Sequence, residues 1–287
     1  MVAKQYVASL SYGKDSIAML HVICDVLKKP LDRIITADVW ATDDIPAELP
    51  PMVEFKQYAD EEIKRRWGIS VEHFTAIAKD GSKQTYDKVF HTVCMKKDSP
   101  RYGLIYGFPM IKGPWCNGML KMAALRIANK SAEGAVNYIG IAADEAERVA
   151  RHSVKPLVEL PLVEAGWAEK DCYQWCEENG LLSPTYKTSN RGGCWFCHNQ
   201  GINQLRNLRK NYPDLWALLL KWDDETLHNH KFKPHESVHD YEKRFSMEDD
   251  GYFLMNEPFR WSCLDHAQMN IFQFVNKPQE NAVVKTL

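Results

Sequence analysis

An α/β fold built on a doubly wound parallel sheet, with a helical or irregular C-terminal region, is the architecture the sequence predicts. Three observations lead to it. Short apolar runs alternate with amphipathic segments through about the first 80 residues, the pattern of strands joined by crossover helices. The first run, Gln5 to Leu10, stops at the turn Ser11-Tyr12-Gly13-Lys14-Asp15-Ser16, which leads straight into an amphipathic segment. A later run, Ala135 to Ala142, ends in an acidic turn carrying Asp144 and Glu145.

The elements follow in order. Residues 5–10 form the first strand, and 15–28 a helix with Ile17, Met19, Leu20, Ile23, Val26 and Leu27 at helical spacing. Arg33 to Trp40 is a second, buried strand, 51–67 a helix and Ile69 to Ile77 a third strand. Residues 79–113, rich in Lys, Gly and Pro, make a long connection near the open end of the sheet, the kind of loop that carries function. A helix over 117–130 and a strand over 135–142 come next, then an extended stretch from Pro156 to Pro161 and a helix over 168–179. The loop Ser183 to Gly193 precedes Cys194-Trp195-Phe196-Cys197-His198. Helical periodicity returns from 202 to about 227, interrupted at Pro213. The His-, acid- and aromatic-rich tail from 228 is expected to be an irregular cap or a partner surface. The simplest partition is one compact α/β domain over 1–200 and a helical C-terminal region over 201–287.

Composition narrows the function. The 287 residues carry a net charge of −2, so no global positive field draws the chain onto nucleic acid. No apolar run approaches the ~20 residues of a membrane helix, and the N-terminus reads as a strand rather than a signal peptide; a cytoplasmic protein is expected. Eight cysteines in such a chain argue against a disulfide framework and leave buried thiols or metal ligands.

The turn after the first strand points backbone N–H groups and a helix N-terminus at whatever lies beyond the carboxyl end of the sheet, a setting that favours anions. Gly13 permits close backbone approach, Lys14 offers a point charge, and Ser11 and Ser16 offer hydroxyls. Asp15 either caps the helix or reaches phosphates through Mg²⁺. The spacing is not that of a Walker A loop. The plainer alternative is a Ser/Gly turn with a capping side chain. In the second block, Tyr138 to Arg148, Arg148 suits a phosphate or sulfate, while Asp144 and Glu145 suit Mg²⁺ or a ribose; acids in a first helical turn explain the same residues through the helix dipole. Cys194 and Cys197 follow Gly192-Gly193, and one C-x-x-C supplies half a tetrahedral site. Cys172 and Cys176, beside Trp175, read as packing, and Cys24 and Cys94 have no nearby partner. His228, His230, His235 and His239 fit no common metal spacing.

Ser11 to Ser16 resembles the S-G-G-K-D-S signature of the PP-loop ATP pyrophosphatase superfamily, with Tyr12 in place of a glycine. Gly140, Asp144 and Arg148 are similar to the G-x-R-x-[DE]-x-x-x-R segment of its phosphoadenylylsulfate (PAPS) reductase branch, with Ala142 in place of the first arginine. Cys116, after Trp115 and before Gly118 and Lys121, matches a cysteine segment that pairs in that branch with a later C-x-x-C. Ser183-Pro184-Thr185-Tyr186 and Gly193-Cys194 resemble its N-P-L-Y and G-C-x-x-C. The likeness spans residues 5 to about 200 and is nearest to the bacterial and phage "PAPS reductase-like" proteins. It implies an adenine nucleotide alpha hydrolase-like fold and an enzyme that cleaves ATP between the α and β phosphates to adenylate a substrate, in a sulfurtransferase type of reaction.

The resemblance also assigns residues. Lys14, Asp15 and Arg148 would be catalytic. Ser11, Tyr12, Gly13, Lys14, Asp15, Ser16, Asp38, Gly140, Asp144 and Glu145 would bind ATP with Mg²⁺. Cys116, Cys194 and Cys197 would hold a [4Fe–4S] cluster with one open iron, or Zn²⁺ with His198 or Cys263 as fourth ligand. The implied partners are a nucleotide, a sulfur donor and a nucleic-acid acceptor, with no membrane. One alternative is a PAPS or adenylylsulfate reductase, although the E-C-G-[IL]-H cysteine of those enzymes has no counterpart: Cys263 is followed by Leu264-Asp265-His266. The other is a binding module without turnover, using Arg191, Trp195, Phe196, Arg206, Arg209 and Lys210 to hold nucleic acid.

Overall fold

The structure, a computed structural model, describes residues 5–110, 113–130, 134–187, 192–226 and 231–251. Five strands form one parallel sheet: β1 (Tyr6–Leu10), β2 (Arg33–Asp38), β3 (Val71–Thr75), β4 (Val136–Ile139) and β5 (Val158–Glu159), in the order β3-β2-β1-β4-β5. Chain order runs outward from β1 to one edge and then restarts at β4 on its other side. The carboxyl ends of β1 and β4 therefore flank the point where the winding reverses, which is where open α/β sheets bind ligands. The extended stretch expected from Pro156 to Pro161 is the edge strand β5, followed directly by the short helix α6 (Pro161–Glu164), whose first residue is Pro161.

Both faces are covered. On one, Ala8, Leu10 and Ile34 pack against α1 (Lys14–His21), α2 (Pro50–Trp67) and α7 (Glu169–Glu178). Helix α2 places Met52, Phe55, Ala59 and Ile63 on its buried stripe and stops at Gly68, whose φ of 72° ends the helix in the left-handed conformation. Cys172 and Cys176 of α7 are fully buried against α1, so packing is their role. On the other face, Val7 and Ile35 meet Ala128 of α4 (Met122–Asn129). Helices α1 and α4 each adjoin a π-helical turn, Val22–Val26 and Asn117–Lys121.

A second core lies beyond the carboxyl end of the sheet. It joins Val39, Ala41 and Ala47 from the β2–α2 loop, Tyr86 and Phe90 of α3 (Tyr86–Phe90), Trp195 and Phe196, and the C-terminal helices α8 (Ile202–Asn211), α9 (Pro213–Glu225) and α10 (Val238–Asp249). Pro213 breaks the helical run as expected, because it lacks an amide donor and starts α9 at its first position. Helix α5 (Ala146–Ser153) buries no side chain. The tail contains more order than an irregular cap: α10 opens on a Ser237–Asp240 capping box and buries Val238, Tyr241, Arg244 and Phe245. His228, His230 and Cys263 lie outside the described residues.

Candidate active site

At the reversal point of the sheet, a crevice of about 440 Å³ is lined by Ser11, Tyr12, Gly13, Asp15 and Ser16 after β1, by Gly140 and Arg148 after β4, and by Glu48, Met52, Lys121, Ser183, Thr185, Tyr186, Gly192, Gly193 and Cys194. Helix α1 begins at Lys14 with Gly13 as N-cap and no capping side chain, so its positive end adjoins the crevice. The serines brace the turn: the Ser11 amide donates to Ser16 Oγ at 3.1 Å, and the Ser16 hydroxyl donates to Gly13 O at 3.0 Å. The Lys14 amide donates to the Tyr186 hydroxyl at 3.2 Å, which ties the loop after α7 to the turn.

Tyr12 stands at φ 56°, a conformation natural to glycine and costly for a bulky side chain. Tyr12 lines the crevice and also has a structural role. The ring is buried, its hydroxyl donates to Asp60 Oδ1 at 2.5 Å, and Lys56 Nζ lies 5.1 Å from its centroid. Behind it runs a chain of polar contacts. Asp60 and Asp38 bracket His73, at 3.0 Å to Nε2 and 2.8 Å to Nδ1, and Asp38 accepts from Lys56 at 2.5 Å. Hydrogen bonds donated to Asp38 and then Asp60 raise the His73 pKa to about 9. Burial pushes the Asp38 carboxyl up, but His73 and Lys56 outweigh it and hold it below its ordinary value. Asp38 thus lines a neighbouring groove with His73 and Lys56 and is not among the residues lining the crevice. Asp60 and His73 are functional supports that the sequence reading missed.

Lys14 also departs from expectation. Its Nζ donates to Asp15 Oδ1 at 2.8 Å and Glu169 Oε2 at 2.9 Å, and it does not line the crevice. Burial works against its charge, yet these two carboxylates hold it protonated. Among the described residues, the cationic side chains lining the crevice are Lys121 and Arg148. In the second block, Asp144 accepts the Glu169 amide at 3.0 Å, serving the start of α7, and Glu145 accepts the Ala142 amide at 3.2 Å while pairing with Arg148. Asp144 and Glu145 therefore do what acids at helix starts do, whereas Arg148 reaches the crevice. Gly140 has a steric reason: a Cβ there would lie 2.9 Å from Asp15 O and Ser16 Cα, so β4 and the start of α1 meet backbone to backbone.

A second cavity, of about 220 Å³, is lined by Cys116, Cys194, Cys197, His198, Tyr86 and Lys121 among others. The structure thus brings the three cysteines of the sequence reading together. The C-x-x-C is fixed from inside: the Trp195 amide donates to Ala47 O at 2.9 Å, its indole donates to Pro46 O at 3.0 Å, and its ring stacks on Trp222 at 5.6 Å. Trp115 donates its indole N–H to Gly107 O at 3.2 Å and so braces Cys116. Burial raises the Cys194 thiol to about 12 and also raises Cys116, with Cys197 adding to the latter. Among the described residues, no group of three or more His, Cys, Asp or Glu side chains is arranged to hold a metal ion. The two cavities are contiguous, sharing Val39, Lys121, Gly192, Gly193 and Cys194.

The basic stretch offered as a nucleic-acid surface is largely committed elsewhere. Arg206 pairs with Glu248 at 2.6 Å, and Arg209 with Glu242 at 3.0 Å and Asp249 at 2.6 Å. Trp195 and Phe196 are buried, and Arg191 is outside the described residues. Among the described residues, no helix is long and apolar enough to cross a membrane.

No protein-family model matches the sequence, and no curated protein matches it. Among solved structures, the chain is similar to the U34-tRNA thiolase NcsA from Methanococcus maripaludis with its [4Fe-4S] cluster, at 15% identity and a TM-score of 0.38, over 84% of this chain and 81% of that one. A likeness at that level leaves the site to be read from the chain's own geometry.

Two outcomes are expected. Gly140→Ala forces the β4–α1 contact apart, so the substitution should cost about 1–3 kcal/mol in urea unfolding. His73 carries a folded pKa near 9, above its ordinary 6.5. Its contribution to stability is therefore complete below pH 6.5 and lost as pH rises through 9. Urea midpoints followed from pH 6 to 10 should fall over that window in the wild type, and His73→Asn should flatten the fall.

Proposed function

We propose that the chain is a PP-loop ATP pyrophosphatase that activates an acceptor as an adenylate and delivers sulfur to it from the adjoining thiol cavity. The observation that carries this reading is the shared wall between the two cavities, formed by Val39, Lys121, Gly192, Gly193 and Cys194. A nucleotide over the Gly13 turn and a sulfur species among the cysteines would meet across it.

The residues divide the work as follows. The uncapped start of α1 receives phosphate oxygens, and Lys121 and Arg148 offset their charge. Asp15, which lines the crevice, would hold a magnesium ion that offsets phosphate charge, and Lys14, itself held by Glu169, positions Asp15 from behind. An acceptor oxygen attacks the α-phosphorus, the bond to the β-bridging oxygen breaks, and pyrophosphate leaves with its electron pair. A reduced sulfur atom then attacks the carbon bearing the adenylate, the carbon–oxygen bond breaks, and AMP departs.

Cys116, Cys194 and Cys197 would hold an iron–sulfur cluster. The three thiols line one cavity, and thiolate-rich sites suit iron–sulfur clusters. When bound, such a cluster supplies an iron without a protein ligand at which inorganic sulfur can be held.

The test uses anaerobically reconstituted protein with bulk tRNA as acceptor, following ATP–pyrophosphate exchange and transfer of radiolabelled sulfide. Asp15→Ala should reduce exchange by roughly 10²-fold or more. Cys194→Ala should retain exchange and lose sulfur transfer. Unchanged exchange in Asp15→Ala, or sulfur transfer without Cys194, contradicts the assignment.

A further inference from the structure

Tyr86 is the first residue of α3, and its backbone amide is anchored to Trp40 O at 2.8 Å. Its ring is 1% exposed and wedged against Phe196, Trp115 and Trp222, with centroids at 4.1, 4.8 and 5.0 Å. It lines the thiol cavity with Cys116, Cys194 and Cys197. Its hydroxyl is buried and has no hydrogen-bond partner among the described residues.

That is an unusual position for a phenol here. Among the described residues, the other buried tyrosines satisfy theirs: Tyr12 donates to Asp60, Tyr138 to Pro30 O at 3.1 Å, and Tyr241 to Glu236 at 3.4 Å. An unsatisfied buried hydroxyl costs about 1–3 kcal/mol, and phenylalanine, already present at the adjoining Phe90 and Phe196, would avoid the cost. Besides the side chains of Asn117, His198 and Asn199, the acceptors lining this cavity are the sulfurs of Cys116, Cys194 and Cys197. A phenol ordinarily ionises at about pH 10, so at neutral pH it is a donor.

We infer that the Tyr86 hydroxyl donates a hydrogen bond to a sulfur of the group held by Cys116, Cys194 and Cys197, and thereby sets that group's reduction potential. The inference rests on the reading of these thiols as an iron–sulfur site. A hydrogen bond to cluster or thiolate sulfur favours the reduced, more negatively charged state and raises the potential. Tyr86→Phe removes the donor and nothing else, so the potential should fall. The size expected is about tenfold in the reduced-to-oxidised ratio at fixed potential, about 59 mV for one electron. Replacing Tyr86 alone with 3-fluorotyrosine, a stronger donor of nearly the same shape, should raise the potential.

The experiment is anaerobic reconstitution of the full chain with iron and sulfide, followed by iron and sulfide analysis, visible absorption and an EPR-monitored redox titration. Iron and sulfide bound equally by wild type and variants, with potentials shifted in opposite directions, is the expected result. Wild-type protein that binds no iron overturns the thiol assignment and the inference with it. Wild-type protein that binds the cluster, with potentials unmoved in both variants, overturns the role of Tyr86 and leaves the thiol assignment standing. Should Tyr86→Phe fail to fold, the fluorotyrosine protein decides alone.

Discussion

The backbone contact at Gly140 is the constraint on which the site depends. Strands β1 and β4 lie side by side, and the chain leaving β1 must turn into α1 without colliding with the chain leaving β4. With 2.9 Å between the place of a Cβ on Gly140 and the backbone of Asp15 and Ser16, only a glycine lets the two segments close. Their closure sets the direction of α1, and with it the uncapped helix end that faces the crevice. Tyr12 locks the same turn from the other side. The cost of its left-handed backbone is offset by burial of the ring and by the bond to Asp60, which is held in turn through His73, Asp38 and Lys56.

The thiol cavity is held by different means. Trp195 and Phe196, the two residues between the cysteines, are the anchors, and they reach into a core that the C-terminal helices complete. A loop carrying two thiols would otherwise be too pliant to keep them beside Cys116. The arrangement places Cys194 on the wall between the cavities, so the β2–α2 loop, α3 and α9 all bear on where sulfur and nucleotide would meet. Helix α9 has no chemistry of its own here; through Trp222 it supports the ring of Trp195 and the ring of Tyr86.

Much of this was legible in the sequence because local patterns carried it. A strand, a Ser/Gly turn and an amphipathic helix in succession placed the crevice, and C-x-x-C after two glycines placed the thiols. Cys116 came from the resemblance and is brought to the same cavity. What stayed hidden depends on partners distant in sequence. Tyr12 meets Asp60 and His73 across 48 and 61 positions, and Lys14 turns toward Glu169 across 155; no spacing rule reports such pairs. Asp144 and Glu145 were ambiguous by nature, since a helix start and a metal ligand ask for the same side chain. Helix α10 did leave a signal, the Ser237–Asp240 capping box ahead of Val238, Tyr241 and Phe245, but the surrounding histidines and acids obscured it.

On the proposed function, one continuous site joins the crevice over Gly13 to the thiol cavity. A crystal structure of anaerobically prepared protein bound to α,β-methylene ATP and magnesium tests this. The triphosphate should lie over Gly13 to Ser16, with the α-phosphate open toward Lys121 and Cys194. A nucleotide seated away from that turn, or an α-phosphate walled off from Cys194, would contradict it.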